Sequence, residues 1–322
     1  MNVSVCIPVY GVEKYIERCA RTLFEQTMQE GIEFIFVDDC TPDKSMDVLQ
    51  NVLEEYPNRK AQVKIITHAQ NKGLTGARNT ALKHVSGDYI IHCDSDDWVD
   101  PQLYETMYSK AQETGADVVC CGITLEYNGG KQKKLTIPEY SVRDLFFRSF
   151  QTVPFNSVWN KMFRREIALD PELYLPDHIT MAEDLLRTSQ MFLKCRTTAF
   201  CPDVCYHYFY SNPESSTLNF SRKAFDSSRE VLEILQKKLP PEYKQIAGAC
   251  RGQILFSALR MQDMTADEFA ELFRGQSRGA LLFNRQIPSV KRCLLFLALF
   301  SYPFARFCAT SLIRLACKKR RK

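Results

Sequence analysis

Along its first hundred residues the chain alternates between β-branched apolar runs and stretches whose apolar positions recur every three to four residues. Residues 3–10 form the first run, punctuated by Pro8 and Gly11; residues 13–28 follow with Ile16, Ala20, Leu23 and Thr27 at helical spacing. A second run, 33–37, ends in Asp38 and Asp39, and Thr41-Pro42-Asp43 starts a helix running to about residue 56. Residues 63–66 predict a third strand, 73–77 a loop and 78–85 a third helix. The fourth run, 89–93, stops at Asp94, Asp96 and Asp97 before Asp100-Pro101 opens a helix to 114. Strands and helices alternating at this interval predict a parallel sheet with right-handed crossovers. Both acidic clusters then stand at the carboxyl ends of strands, where open α/β sheets bind ligands.

Further along, 117–121 reads as a strand, Asn128-Gly129-Gly130-Lys131 as a hairpin-type turn, and the polar stretch to Tyr140 as a loop. Residues 206–210 are aromatic and alternating, and run into a turn through Ser215-Ser216. Helices are predicted at 221–239, 241–261 and 266–274, the first broken by Pro240-Pro241. The uncharged run 293–305 is 13 residues long, short of the roughly 20 that span a bilayer. Beyond it Arg306, Thr310 and Arg314 form one stripe, with Phe304, Cys308, Leu312 and Leu315 opposite, and 318–322 are all basic. That combination predicts helices lying in a membrane interface; the alternative is a domain-packing helix with a solvated tail. Nucleic acid is not expected as a partner, because no aromatic and basic residues interleave.

At 322 residues, 45% hydrophobic and 25% charged, the chain suits one large domain and a smaller one. The expected division is 1–218 catalytic, 219–288 a helical appendix, and 289–322 membrane-associating helices with a basic tail. The net charge of +4 hides an asymmetry: from Leu272 onward there are 12 Lys and Arg and no acid, against 30 basic and 38 acidic side chains before it. Thirteen scattered cysteines, many inside apolar runs, suit reduced core thiols, and Cys201, Cys205 and His207 lack a fourth ligand for zinc. No basic start with a longer apolar region opens the chain, so synthesis is expected to finish in the cytoplasm.

Three carboxylates crowded after one strand repel each other unless a cation neutralises them, and hard divalent ions take such oxygen ligands. Asp94, Asp96 and Asp97 therefore read either as a Mg²⁺ or Mn²⁺ site for a phosphate-bearing substrate or as a solvated turn capping the next helix. Gly73-Leu74-Thr75-Gly76 lacks the spacing of a phosphate loop and reads as a plain turn. Arg78, expected at a helix amino end, suits a diphosphate or an Asp of the crevice, or is simply a surface Arg. Glu183 and Asp184 open an apolar helical segment, the ordinary place for acids that complement a helix dipole.

Val-Ser-Val-Cys-Ile-Pro-Val-Tyr, Phe-Val-Asp-Asp-Cys-Thr-Pro-Asp, Asn-Lys-Gly-Leu-Thr-Gly-Ala-Arg-Asn and Gly-Asp-Tyr-Ile-Ile-His-Cys-Asp-Ser-Asp-Asp-Trp occur in that order over about 90 residues. Together they resemble the nucleotide-sugar half of a family 2 glycosyltransferase with the GT-A fold, of the bacterial type that builds cell-surface glycans. The resemblance implies an α/β fold, Rossmann-like and mostly parallel, with a C-terminal helical appendix. It implies that Pro8, Val9 and Tyr10 border the nucleobase, that Asp39 contacts it beside Asp38, and that Arg78 lies near the donor diphosphate or steadies the acidic cluster. Asp94, Ser95 and Asp96 match the Asp-x-Asp motif, Asp94 facing ribose or sugar and Asp96 binding the metal, with Asp94 a second ligand. Residues 158–165 resemble a family segment beside the acceptor side, where Trp159 either stacks on a sugar or belongs to the core. Glu183-Asp184 matches the family's Glu-Asp motif, in which the Asp acts as catalytic base.

The activity implied is transfer of a sugar, with inversion, from a nucleotide-sugar (UDP by family habit) to a hydroxyl of a lipid-linked or cell-surface glycan, on the inner face of the cell membrane. The rival from another class is a catalytically silent, membrane-recruited nucleotide-sugar binding module, which Asp39, Asp94, Asp96 and Asp184 argue against. A sugar-phosphate nucleotidyltransferase shares the architecture but needs a glycine-rich basic first loop that is absent.

Overall fold

The computed structural model describes residues 1–150, 154–173, 175–212, 221–259, 261, 263–274 and 287–321. The chain forms two compact units: Met1–Phe146, Ser157–His178 and Arg187–Asn212 make the first, and Phe147–Asn156, Ile179–Leu186 and Pro213–Lys322 the second. Two short segments expected inside a 1–218 domain thus group with the helices, and the 219–288 and 289–322 pieces share one unit.

The first unit is built on β1 (Val3–Val9) and β2 (Ile32–Asp38), every residue of which is buried. Near-continuous apolar strands of this kind suit the interior of a parallel sheet covered on both faces. They pair in parallel with β3 (Val63–Thr67) and β4 (Tyr89–His92) in the order β3-β2-β1-β4. Val9 stands opposite Asp38, and β4 leaves the sheet after His92 beside Cys6. Asp38 therefore closes β2, while Tyr10 and Asp94 follow the carboxyl ends of its neighbours β1 and β4.

The far half of the sheet is mixed. β8 (Lys161–Arg164) runs antiparallel to β4 and to β6 (Val118–Glu126), β9 (Thr198–Phe209) runs parallel to β6, and the two-residue β5 (Trp98–Val99) runs antiparallel to β9. Among the described residues the sheet has nine strands. The ninth, β7 (Gln132–Leu135), lies in the stretch expected as loop and forms a hairpin with β6 across Gly129 and Gly130, at φ 74° and 75°. β5, missing from the sequence reading, is too short to leave a period.

Helix boundaries move for identifiable reasons. α1 (Ile16–Phe24) stops short of residue 28, where the buried Arg59 binds the carbonyls of the helix end and of the chain after it: Nε donates to Phe24 O (2.9 Å), Nη2 to Gln26 O (2.6 Å) and Nη1 to Met28 O (3.0 Å). α2 (Ser45–Glu55) starts after Thr41-Pro42-Asp43, which forms a turn with Asp43 Oδ1 accepting from Thr41 Oγ1 and Ser45 N. α3 (Gly73–Leu82) replaces the loop expected at 73–77, so Arg78 lies inside the helix and not at its amino end. The helix begins early because the Asp39 carboxylate accepts the backbone N–H groups of Lys72 and Gly73, both at 2.8 Å.

At the other edge of the sheet the turn before β4 is tied down by Glu33, which is 1% exposed. Its Oε1 accepts from Ser4 Oγ (2.6 Å), Ser86 N (2.6 Å) and Ser86 Oγ (2.8 Å), and its Oε2 from Lys64 Nζ (2.7 Å). Burial by itself would raise the carboxyl pKa, but these bonds to Lys64, Ser4 and Ser86 outweigh it and hold it below the ordinary value. Gly87 is required there, since a Cβ would stand 2.6 Å from Ser4 N.

The second unit is helical, as expected, with α8 (Arg222–Lys238), α9 (Lys244–Ala258), α10 (Ala266–Phe273), α11 (Ser289–Phe300) and α12 (Tyr302–Arg321). Ser221 caps α8, and Thr265 with Glu268 forms a capping box on α10. Phe225, Leu232, Leu235, Leu255, Phe269, Leu294 and Ala305 are among its buried residues. Among the described residues no helix is long and apolar enough to cross a membrane. Phe296, Phe300, Phe304 and Phe307 on α11 and α12 are 47%, 77%, 55% and 68% exposed. The basic cluster 318–322 lies beyond the side chains described, and the turn at Ser215-Ser216 lies outside the described residues.

Glu33→Gln is expected to destabilise the protein by about 1–3 kcal/mol at pH 7, because buried donors lose a charged acceptor. With a folded pKa below the ordinary 4.5, the carboxylate's contribution is present above that value and is lost as pH falls through the folded one. Urea unfolding of both proteins at pH 7 and pH 4 checks this: the gap narrows in acid, and equal midpoints at pH 7 refute the role given to Glu33.

Candidate active site

β4 is a fully buried strand whose chain turns sharply at its carboxyl end, with Asp97 N–H donating to Asp94 O at 3.1 Å. Each acid of the turn has its own support. Arg78 on α3, with its side chain 1% exposed, donates from Nη2 to Asp94 Oδ1 at 2.8 Å. Asn212 Nδ2 donates to Asp96 Oδ2 at 2.6 Å, and Arg18 Nη2 to the Asp96 carbonyl at 3.2 Å. Asp97 points inward, accepting from Tyr206 O–H (2.8 Å) and Phe209 N–H (2.7 Å), while Tyr206 Oη accepts the Asp94 N–H (2.9 Å).

These neighbours do not balance the charge. Burial first, then the charge of Asp94, pushes Asp96 up to about 6. Burial, followed by Asp96 and Asp94, holds Asp97 well above the usual carboxylate range. Asp96, which resists ionisation through burial and the charge of Asp94, fits a hard divalent cation. Among the described residues no group of three or more His, Cys, Asp or Glu could hold a metal ion alone. Asp94 and Asp96 thus suit a Mg²⁺ or Mn²⁺ ion whose remaining ligands are waters and substrate phosphates, the usual arrangement for these ions.

The neighbouring strand ends complete the edge. Asp38 Oδ1 accepts from Thr41 N at 2.9 Å, and Asp39 N–H donates to Val9 O at 3.0 Å. The Asp39 side chain is buried; besides capping α3 it bonds His68 Nδ1 at 2.7 Å, and His68 Nε2 bonds Thr80 Oγ1 at 2.8 Å. Pro8 and Val9 are buried, leaving Tyr10, 51% exposed, as the part of that trio open to a ligand. Ser95 is also buried.

A family model described as "Glycosyl transferase family 2" matches residues 4–170, which include all of these positions except Tyr206 and Phe209 on β9 and Asn212. The chain belongs to glycosyl transferase family 2. It is 30% identical over 266 residues to the uncharacterized glycosyltransferase EpsJ of Bacillus subtilis, covering 78% of this chain and 73% of that one. To the poly(ribitol-phosphate) beta-glucosyltransferase of Bacillus spizizenii it is 32% identical over 214 residues, 65% of this chain but 32% of the relative's length. Among solved structures it resembles Staphylococcus aureus TarS 1-349 in complex with UDP (TM-score 0.66, 21% identity, 98% of this chain and 92% of that one). It also resembles the mannosyltransferase PcManGT of Pyrobaculum calidifontis with GDP-Man and Mn²⁺ (TM-score 0.59, 17% identity, 99% and 86% covered). At such identities these likenesses show the shared GT-A fold.

The first unit of this family 2 chain gathers Tyr10, Asp38, Asp39, Arg78, Asp94 and Asp96 at one edge of the sheet. Glu183 and Asp184 stand in the first turn of α7 (Glu183–Lys194), within the second unit. Trp159 is core: 3% exposed, it stacks on Tyr206 and Tyr208 at 4.5 and 5.4 Å. The two ring nitrogens of His207 are bonded to Glu126 (2.7 Å) and Asp100 (2.9 Å). The sequence reading missed Arg18, Asn212, Tyr206 and His68; of these, only Tyr206 carried a signal, in the aromatic alternation of 206–210.

Asp39→Ala is expected to lower stability by about 1–3 kcal/mol, because it uncaps α3 and frees His68. Chemical denaturation without ligand measures this, and an unchanged midpoint would leave Asp39 no structural part.

Proposed function

We propose that the protein is an inverting glycosyltransferase that moves a sugar from a UDP-sugar to a hydroxyl of a cell-surface or lipid-linked glycan, using Mg²⁺ or Mn²⁺. The observation that carries this is the turn Asp94–Asp97, held by Arg78 and Asn212 yet short of positive charge, at the sheet edge where Tyr10 and Asp39 also end. The choice of UDP draws on the fold shared with TarS, which has been crystallised with UDP and with UDP-GlcNAc. The acceptor class draws on the poly(ribitol-phosphate) glycosyltransferases among the relatives.

Asp39 and Tyr10 hold the nucleobase, and Asp94, paired with Arg78, faces the ribose or the sugar. Asp96 and Asp94 would hold a divalent ion, which when bound would supply positive charge against the negative charge that develops on the departing diphosphate. Asp184, steadied by Glu183, takes the proton of the acceptor hydroxyl as that oxygen attacks C1. The bond from C1 to the phosphate oxygen breaks on the opposite face, and its electron pair leaves with UDP. One displacement inverts C1 with no sugar bound covalently to the protein.

Asp184→Asn is expected to lower kcat by about 10²- to 10⁴-fold, the usual size of a general-base contribution, with donor binding kept. Asp96→Ala is expected to abolish the Mn²⁺-dependent thermal shift given by UDP-sugar. UDP release and thermal shift on both variants check this; donor binding without turnover in wild type, with an acceptor glycan supplied, would favour a silent binding module instead.

The work takes place on the cytoplasmic face of the membrane, to which α11 and α12 attach. Four phenylalanines at least 47% exposed supply the apolar face, and the acid-free, 12-fold basic sequence from Leu272 supplies attraction to anionic headgroups. Phe300→Ser/Phe304→Ser is expected to weaken co-sedimentation with phosphatidylglycerol vesicles more than tenfold, at about 1.5–3 kcal/mol for each phenylalanine fully buried. Equal sedimentation of variant and wild type would locate any attachment elsewhere.

A further inference from the structure

Arg18 lies on α1 with its guanidinium over Trp98 of β5, the central carbon 3.4 Å from the ring centroid and 5.4 Å from that of Phe209. Its Nη2 donates to the Asp96 carbonyl at 3.2 Å, and its Nε is buried without a hydrogen-bond partner among the described residues. Trp98 is itself fixed: it lies flat against His207, centroids 5.4 Å apart and planes 7° from parallel. His207 is held on both sides by Glu126 and Asp100. A run of rigid contacts therefore leads from two carboxylates on β6 and after β5, through an imidazole and an indole, to one guanidinium and one carbonyl.

That carbonyl belongs to the peptide linking Asp96 to Asp97, which is where the acidic turn divides. Asp97 goes inward to Tyr206 and Phe209, while Asp96 turns its carboxylate to Asn212. Rotation of this peptide would redirect both carboxylates together. A desolvated guanidinium stacked on an indole is a stiff anchor, worth more than a solvated one. Its charge also sits beside the acids it orients.

We infer that Arg18 is a positioning residue for divalent-ion binding: stacked on Trp98, it fixes the peptide after Asp96 and so aims the Asp96 carboxylate at the ion. This rests on the reading of Asp94 and Asp96 as the ion site. Residues behind a metal ligand commonly change ion affinity by about 10- to 100-fold when replaced.

Mn²⁺ is titrated in the presence of UDP, and separately of GDP, with free Mn²⁺ read by electron paramagnetic resonance, into wild type, Arg18→Met, Arg18→Lys and Trp98→Phe. The ion-free unfolding midpoint is measured in parallel. Arg18→Met is expected to weaken Mn²⁺ binding by about 10- to 100-fold with the ion-free midpoint nearly unchanged. Arg18→Lys recovers part of the loss, since it keeps the charge but not the planar fork. Tryptophan emission, from two residues of which Trp159 is buried, shifts in Arg18→Met as Trp98 loses its cation. Equal Mn²⁺ affinity in wild type and Arg18→Met overturns the inference alone. So does a loss of affinity that tracks an equal fall in the ion-free midpoint across the three variants. Wild type that binds no Mn²⁺ with UDP or GDP overturns the ion site itself, and the inference with it.

Discussion

Asp94, Asp96 and Asp97 put as many as three negative charges within four residues at the end of a buried strand, where water cannot screen them fully. Like charges this close oppose one another's ionisation, and the surroundings divide the load. Arg78 reaches Asp94 from α3, Asn212 reaches Asp96 from beyond β9, and Tyr206 with Phe209 takes Asp97 into the interior. Each helper comes from a different part of the sequence, so the native turn depends on contacts from α3 and from the end of β9. What these helpers leave unbalanced at Asp96 is the part of the load suited to a cation.

The two edges of the parallel half carry different tasks. At the amino edge Glu33 ties Ser4, Ser86 and Lys64 together, and a glycine lets the turn before β4 pass against β1. Those bonds set the start of β4 against the start of β1, with Val3 opposite Tyr89. Strand register is rigid over four residues, so fixing one end fixes where the acids emerge at the other. Stability on one edge thereby becomes geometry on the opposite edge.

The parallel half was legible because each strand is a contiguous apolar run and each crossover helix is short and periodic. The helical character of 221–274 was legible for the same reason, from spacing and caps. What escaped has a common cause. β5, β7 and β8 owe their existence to partners far away in the chain, and residues as few as Trp98–Val99 leave no period to read. The start of α3 escaped because its cap, Asp39, lies over thirty residues upstream. In the site, acids after a strand announce themselves, whereas Arg18 sits on an ordinary amphipathic helix and acquires its role only from Trp98 and Asp96. Arg78 was read for its chemistry but misplaced on its helix, since the cap that lengthens α3 is not local.

If Asp39 contacts the nucleobase, as proposed, structure and recognition are joined in one carboxylate. Its Oδ1 already accepts from His68 Nδ1 and Lys72 N, at 2.7 and 2.8 Å, while among the described residues Oδ2 accepts only Gly73 N, at 2.8 Å. A carboxylate oxygen offers about two acceptor directions, so a nucleobase N–H reaching Asp39 has Oδ2 as its acceptor. The same oxygen caps α3, and α3 carries Arg78 to Asp94. A shift of that carboxylate toward a bound base would therefore be felt at the amino end of the helix whose next turn holds the acidic cluster. On the proposed reading, base recognition and the setting of Asp94 are linked through one oxygen and one helix.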